Sequence, residues 1–343
     1  MHKLKFFFIS FLLTGNFCFA QISSSARKEL QKKEDSLKTF SLAIIQGKTA
    51  SDRFNADSQF TKIFVRALKI KNSFYFPFDS LITISSLMPE DNTFKIFTWQ
   101  LVVNDRITRQ HGAIQMKTAD GSLRLFPLID KSGITVNIED TVGNNFGWIG
   151  AVYYKLIEKQ AFGKNYYTLL GYDENNINSN KKIIEILTFN NDEPVFGGSY
   201  FSFQDNSVIK KYRARYIMEF KKNASPRLTY DADQDMIIYE HLISESGEPQ
   251  KKYTYIPDGD YEGLVWRDGK WIHVQKVFTQ KTPEGQEPVP QPIRDAQGNI
   301  DESKLSSRMP ENTDSTEEVT DSIPKINADK VSEKKPRKKL NFD

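Results

Sequence analysis

From residue 74 onward the sequence is a succession of short segments in which apolar residues alternate with polar ones. In the clearest segment the apolar side chains at every second position are Phe97, Trp99, Leu101 and Val103. Alternation at period two is typical of strands with one buried face, and polar turns between such segments indicate hairpins. Aromatic and β-branched residues, which favour strands, are concentrated in the same region. The pattern predicts a large antiparallel β domain over residues 76–279.

Turn-forming residues separate most of the predicted strands, including Gly197-Gly198 and Asp268-Gly269. After the hairpin at 94–117, strands are predicted near 133–138, 147–158, 165–171, 182–189, 195–203, 207–221, 227–231, 236–243, 252–256, 261–267 and 271–279. Successive strands with short turns favour a meander, a sandwich or a barrel. A propeller is less favoured, because no motif recurs at a constant period.

Residues 21–75 have a helical pattern instead. A first helix is predicted over 26–46, where Leu30, Leu37 and Ile44 share one face and Gly47 can end the helix. A second is predicted over 56–70, with apolar residues at helical spacing. The expected fold is therefore mainly β (α+β), with N-terminal helices packed on the β domain.

Residues 1–20 are expected to be a cleaved signal peptide. Lys3 and Lys5 precede a short apolar run, and Ala20 is the small residue that signal peptidase requires, so cleavage is placed between Ala20 and Gln21. The run is too short to favour a membrane span. A lipid anchor on Cys18 is disfavoured, because bulky Phe17 stands where a lipoprotein needs a small residue.

Cys18 is the single cysteine, so the mature chain is expected to contain none. That excludes disulfides, a cysteine nucleophile and thiolate-bound metals.

The formal charge is +3 from 47 basic and 44 acidic residues, which gives no reason to expect nucleic acid as a partner. Residues 280–343 are polar and nearly free of aromatics, and this tail, including its basic run 334–339, is expected to be disordered and solvated.

Asp231, Asp233 and Asp235 alternate as the first ligands of a calcium loop do. The remaining positions do not fit, because Met236 replaces the required glycine and Leu242 replaces the bidentate glutamate. A solvated hairpin turn is the favoured interpretation, and the three aspartates are only weak metal candidates. The acidic stretch at 173–176 is interpreted as a turn for the same reason.

The histidines left after cleavage are His111, His241 and His273. Neighbouring strands could bring them together around a metal, with Glu240 or Asp260 as a further ligand, but their spacing does not support such a site. A hydrogen-bonded, partly buried histidine is favoured for His241. No cofactor is expected.

Motifs of the common hydrolases and nucleotide enzymes are absent from the sequence. A carboxylate pair that hydrolyses glycosides leaves no local motif, so a hydrolase acting on an envelope polysaccharide or peptide stays open as the alternative function.

Trp266 and Trp271 flank the predicted Asp268-Gly269 turn. Packing of the two rings across a hairpin is favoured over a ligand-binding platform.

Four stretches carry a resemblance to known sequences: LMPEDNTFKIFTW at 87–99, HGAIQM at 111–116, YYTLLGYD at 166–173 and DGDYEGLVWRDGKW at 258–271. Together they resemble a group of uncharacterised exported proteins of Bacteroidota, over roughly residues 30–278. The resemblance implies an address in the envelope of a Gram-negative cell. It implies no catalytic residues, because no activity is established for that group.

These observations favour a non-enzymatic binding or scaffolding protein of the envelope, with an envelope protein or polymer as its partner. Because residues 280–343 are expected to be disordered, no folded sorting domain of type IX secretion is expected there, and the periplasm is the preferred compartment. Outer-membrane association and secretion remain open.

Overall fold

Two helices form a hairpin at the start of the folded chain. In the computed structural model, which describes residues 22–104, 106–203 and 213–278, α1 spans Ser24–Gln46 and α2 spans Ala50–Leu68. α1 begins where the Ser23 hydroxyl accepts a hydrogen bond from the backbone N–H of Ala26, and it ends at Gly47. Its heptad-spaced residues Leu30, Leu37 and Ile44 are buried, as their spacing predicts.

The second helix starts earlier than its apolar pattern predicts. It begins at Ala50 rather than near residue 56, because Thr49 and Asp52 form a capping box. The Thr49 hydroxyl accepts from the backbone N–H of Asp52, and the Asp52 carboxylate accepts from the backbone N–H of Thr49. No helix in the described part of the chain is long and apolar enough to cross a membrane.

The rest of the described chain forms three β-sheets. In chain order the strands are β1 Ser85–Leu87, β2 Phe94–Asn104, β3 Ile107–Met116, β4 Arg124–Ile129, β5 Gly143–Asn144, β6 Val152–Ala161, β7 Lys164–Asp173, β8 Ser179–Asn190, β9 Glu193–Phe196, β10 Phe201–Ser202, β11 Arg215–Lys221, β12 Leu228–Asp231, β13 Met236–Ser244, β14 Tyr255–Arg267 and β15 Lys270–Val274.

The first sheet is a meander in the order β1-β2-β3-β4, and the third has the order β10-β15-β14-β13-β12. The second sheet has the order β5-β9-β8-β7-β6. The edge of β8 opposite β7 is shared, since β11 pairs with residues 179–185 and β9 with residues 187–190. All strand pairs are antiparallel except β10 with β15.

Alternation along the strands stacks these elements in four layers. On β2, Phe97 and Trp99 pack in one core with the helices, whereas Ile96 packs in a second core with the second sheet. On β8, Ile183 joins that second core and Ile184 joins a third core with the third sheet. The second sheet therefore lies between the other two with both faces buried, and the β-rich fold with N-terminal helices packed on it is confirmed.

A buried ion pair lies on the face of the second sheet that points toward the first. Arg215 Nε donates to Glu185 Oε2 at 3.0 Å, and both side chains are fully buried. The same guanidinium donates to the backbone carbonyls of Ile138 and Thr141. The hydroxyl of Tyr153 donates to the other oxygen of Glu185. Arg215 thus ties the loop that precedes β5 to strand β11. Ile138 and Glu139 of this loop line the cleft described below.

Some strand predictions were wrong. Residues 133–138 form turns, with Asn137 in the left-handed region at φ 53°, because local hydrogen bonds such as Thr135 N–H to Lys131 O replace pairing. The strands expected at 252–256 and 261–267 are largely one strand, β14. The predicted signal peptide with Cys18 and the predicted disordered tail lie outside the described residues.

Candidate functional site

A cleft of about 510 Å³ opens between β11 of the second sheet and the third sheet. Tyr216 and Met218 of β11 form one wall, and His241 and Glu262 form the other. The residues that complete it come from the loop before β5, from β8, from β11 and the residues just before it, from β13, and from the turn before β14 and the first residue of β14: Ile138, Glu139, Lys181, Arg213, Ile217, Glu219, Leu242, Lys252 and Tyr255. The cleft thus joins side chains that are far apart in the sequence.

Strand register explains why polar groups gather here. Tyr239 of β13 lies directly opposite Glu262 of β14, and His273 of β15 lies opposite Leu264, two residues further along β14. All four side chains therefore point to the same face of the third sheet. Leu264 belongs to the core that the third sheet shares with the second sheet. The polar side chains lie on that same face, at the end that borders the cleft.

Hydrogen bonds join two histidines and two carboxylates into a chain. His241 Nδ1–H donates to Asp258 Oδ2 at 2.7 Å, and its Nε2 lies 3.8 Å from Glu262 Oε1. The other oxygen of Glu262 accepts from His273 Nε2–H at 2.8 Å and from the Tyr239 hydroxyl at 2.9 Å. Each side chain is thereby held in one orientation.

The protonation states of these groups follow from their contacts. Burial alone would raise the pKa of Glu262, but hydrogen bonds from His273 and Tyr239 outweigh burial and hold this pKa below 4.5. The pKa of Asp258 is lowered in the same way, chiefly by the hydrogen bond from His241. Burial, together with the charge of Glu262, raises the pKa of Tyr216 to about 12. The cleft therefore presents ionised carboxylates beside protonated tyrosines.

Replacing Glu262 with glutamine is expected to lower the free energy of unfolding by about 1–3 kcal/mol at pH 7, because the hydrogen bonds to a charged carboxylate are lost. Since the folded-state pKa of Glu262 is depressed, its contribution is present above pH 4.5 and is lost as the pH falls through that lower pKa. Urea denaturation at pH 7 and at about pH 3 measures the difference between the two proteins.

Glu245→Gln provides the control, because Glu245 makes an exposed ion pair with Lys221 and should contribute less than about 1 kcal/mol. A Glu262→Gln deficit that grows as the solution is acidified would contradict the assignment of an ionised, hydrogen-bonded Glu262.

Tyr216 lines the cleft and packs against two further aromatic rings. The Tyr216 ring lies 5.2 Å from that of Tyr239 and 5.2 Å from that of Phe203. The guanidinium of Arg213 stacks over Phe203 at 5.1 Å and over Tyr216 at 5.9 Å. Stacking of this kind fixes the plane of the guanidinium while leaving its N–H groups free to donate.

The histidines named as possible metal ligands do not all meet. His241 and His273 share Glu262, but Nδ1 of His111 pairs with Asp57 Oδ1 at 2.9 Å, in a separate place. Glu240 and Asp260 lie outside the chain of hydrogen bonds. Within residues 22–104, 106–203 and 213–278, no group of three or more His, Cys, Asp or Glu residues is arranged to hold a metal ion.

The three aspartates of the calcium-like stretch lie at the turn between β12 and β13, as the hairpin interpretation predicts. Asp231 Oδ1 accepts from the backbone N–H groups of Asp233 and Gln234, both at 3.0 Å. Asp235 pairs with Lys159 and accepts from the Tyr230 hydroxyl. Oxygens of Asp231 and Asp235 therefore cap the turn and bind side chains of this protein.

A second cavity, of about 440 Å³, lies between α2 and the first sheet. There the Asp57 carboxylate accepts from Trp99 Nε1–H and from His111 Nδ1–H on the same oxygen, each at 2.9 Å. Ser58 also lines this cavity, but it makes no hydrogen bond to His111. The group holds the helix on the sheet.

No family model matches this chain, and no curated protein or solved structure matches it either. What defines the protein is its own architecture, a layer of two helices on three stacked β-sheets. Its most distinctive site is the cleft of paired histidines and carboxylates between the second and third sheets.

Proposed function

We propose that this protein is a non-enzymatic binding protein of the cell envelope that holds a ligand in the cleft between β11 and the third sheet. The hydrogen-bonded chain Asp258–His241–Glu262–His273 carries the proposal, because it presents fixed polar groups next to aromatic rings. A cleft of about 510 Å³ is in the size range of small-ligand sites. Side chains already held in place lose little freedom when a ligand binds.

The envelope address rests on the sequence. The predicted signal peptide and the resemblance to exported proteins of Bacteroidota both support it. The periplasm is the preferred compartment, and outer-membrane association or secretion are the alternatives. A chain recovered from the cytosol with residues 1–20 intact would contradict this part of the proposal.

Binding is favoured over catalysis because His241 and Glu262 already have partners and the described lining residues include none of the usual nucleophiles of acyl transfer. Both ring nitrogens of His241 face carboxylates, and Glu262 already accepts two hydrogen bonds. None of the described residues lining the cleft is serine, threonine or cysteine, the usual nucleophiles of acyl transfer. Asp173, the carboxyl whose pKa is raised by burial, does not line the cleft, so it cannot serve as a general acid there.

A hydrolase acting on an envelope polysaccharide or peptide is the second candidate. The observation in its favour is that His241 lines the open cleft and is oriented by Asp258, as a general base is, while His273 is oriented by Glu262 of the same cleft. Such an enzyme would activate water directly, because no serine, threonine or cysteine of the described residues is hydrogen-bonded to either histidine.

The experiment compares two tryptophan substitutions on β13. Leu242→Trp is expected to fill the cleft, whereas Ile243→Trp places the same side chain on the opposite, exposed face of the strand. The tagged mature protein and both variants are incubated with envelope extract, and the retained glycans and peptides are quantified by mass spectrometry. We expect wild type and Ile243→Trp to retain a ligand that Leu242→Trp loses.

The mass of the retained material separates the two candidates. A ligand recovered with unchanged mass supports binding, and shortened products that form only with an open cleft support hydrolysis. Equal retention by all three proteins would contradict a role for the cleft. If Leu242→Trp fails to fold, Tyr255→Ala at the same cleft replaces it, since that side chain packs in none of the cores.

A further inference from the structure

Three cationic side chains of the cleft make no ion pair with the described residues. Arg213, Lys181 and Lys252 line it, and no carboxylate oxygen of the described residues lies within 4.0 Å of any of the three cationic groups. The guanidinium of Arg213 makes no hydrogen bond to the described residues, and the ammonium of Lys252 contacts only the ring and hydroxyl of Tyr255. Three cations thus line the cleft with no ion-pair partner in the part of the chain that the structure describes.

The acidic residues of the same cleft are mostly engaged elsewhere. Glu262 is held by His273 and Tyr239, and Glu219 accepts from the Ser179 hydroxyl at 2.5 Å and from the Asn175 side chain at 3.3 Å. Glu139 is the one lining carboxylate with no side-chain hydrogen bond among the described residues. The cleft therefore holds as many carboxylates as cations, but none of the three cationic groups has a carboxylate oxygen of the described residues within 4.0 Å, so each can still pair with an anion.

Arg213 is the best placed of the cations to recognise a ligand. Its guanidinium lies over the rings of Phe203 and Tyr216, and these contacts hold it at the cleft. A planar fork of donors matches a carboxylate or a phosphate through two parallel hydrogen bonds. Because no carboxylate oxygen of the described residues lies within 4.0 Å of this guanidinium, its donors are open to an anion on the ligand.

We propose that the ligand of the cleft is an anion, bearing a carboxylate or a phosphate group that Arg213 binds with support from Lys181 and Lys252. The proposal rests on the cleft being a ligand site, and it adds the ligand's chemical class. The apolar edge formed by Leu242, Met218 and Tyr255 accommodates the uncharged part of the same molecule.

Three matched pairs of probes test this by calorimetry: oligogalacturonate and its methyl ester, glucose 6-phosphate and glucose, and triglutamate and triglutamine. We expect at least one anionic probe to bind about tenfold or more tightly than its neutral counterpart. The anionic probe that binds shows whether the negative group of the ligand belongs to an acidic sugar, a phosphorylated sugar or an acidic peptide.

Arg213→Gln is expected to weaken that binding by about tenfold or more, and Arg213→Lys, which keeps the charge without the planar fork, by less. Arg267→Gln makes the same change of charge at an exposed site on β14 outside the cleft, and it should leave affinity within about twofold. Melting temperatures of all variants show that they are folded before affinities are compared.

Equal affinity for a charged probe and its neutral counterpart, or wild-type affinity in Arg213→Gln, would overturn the assignment of an anion. So would the failure of all three anionic probes to bind. In each case the capture experiment with Leu242→Trp decides separately whether the cleft holds a ligand of another class.

Discussion

Arg215→Met is expected to lower the free energy of unfolding by about 3–5 kcal/mol, because it leaves the fully buried carboxylate of Glu185 without its counter-charge. The carbonyl oxygens of Ile138 and Thr141 lose their donor in the same variant. Removing one member of a buried ion pair costs more than the pair itself contributes, since a charge without a partner remains in the core. Urea denaturation monitored by tryptophan fluorescence gives the two free energies.

Arg124→Met is the matched control for this prediction. Arg124 pairs with Asp192 at 3.1 Å, but both side chains are exposed, so the loss should be less than about 1 kcal/mol. The double variant Glu185→Leu/Arg215→Met should lose less than Arg215→Met alone, because no charge is left unpaired. Equal losses in Arg215→Met and Arg124→Met would show that Arg215 and Glu185 are not a buried pair in solution.

The elements that could be predicted from the sequence are those whose cause is local. Heptad-spaced leucines predicted α1, and period-two alternation predicted β2 and β3. Asp268-Gly269 predicted the turn that places Trp266 opposite Trp271, and in the structure their rings lie 5.4 Å apart. Trp271 is fully buried and its Nε1–H donates to Thr168, so it packs in the core as expected.

Predictions were wrong where local hydrogen bonds decide between similar patterns. Residues 133–138 alternate as a strand does, but the turn at Asn137 and the anchoring of Ile138 by Arg215 hold them outside the sheets. The capping box at Thr49 and Asp52 adds residues to α2 that carry no apolar stripe.

The cleft could not be predicted, because its residues are brought together by sheet stacking. Arg213 and Tyr216 belong to the region of β11, whereas His241, Glu262 and His273 come from three strands of another sheet. The sequence favoured a hydrogen-bonded, partly buried His241, which the structure shows, but Glu262 was not identified as the group that His241 and His273 share. Alternation on β14 places Glu262 on the same face as the apolar Leu264. A carboxylate next to an apolar residue on that face was the sequence signal that could have indicated Glu262.

Phe64→Ala is expected to lower the free energy of unfolding of the whole described fold by about 3–5 kcal/mol. Phe64 of α2 is 2% exposed, and its ring lies 5.3 Å from that of Phe78 and 5.0 Å from that of Phe97. Because Phe97 belongs to β2, the helices and the first sheet share one core, and helical and aromatic circular dichroism should be lost at the same urea concentration.

Phe54→Ala in the same helix provides the comparison, because Phe54 is 39% exposed and belongs to none of the three cores, and its ring lies 6.0 Å from the guanidinium of Arg109. Its loss should stay within about 1 kcal/mol. The contradicting outcome is that Phe64→Ala loses its helical circular dichroism at low urea while its aromatic circular dichroism keeps the wild-type midpoint. That outcome would show that the helical hairpin unfolds independently of the sheets. The shared core makes the opposite result the expected one, since a cavity at Phe64 removes contacts from α2 and from β2 together.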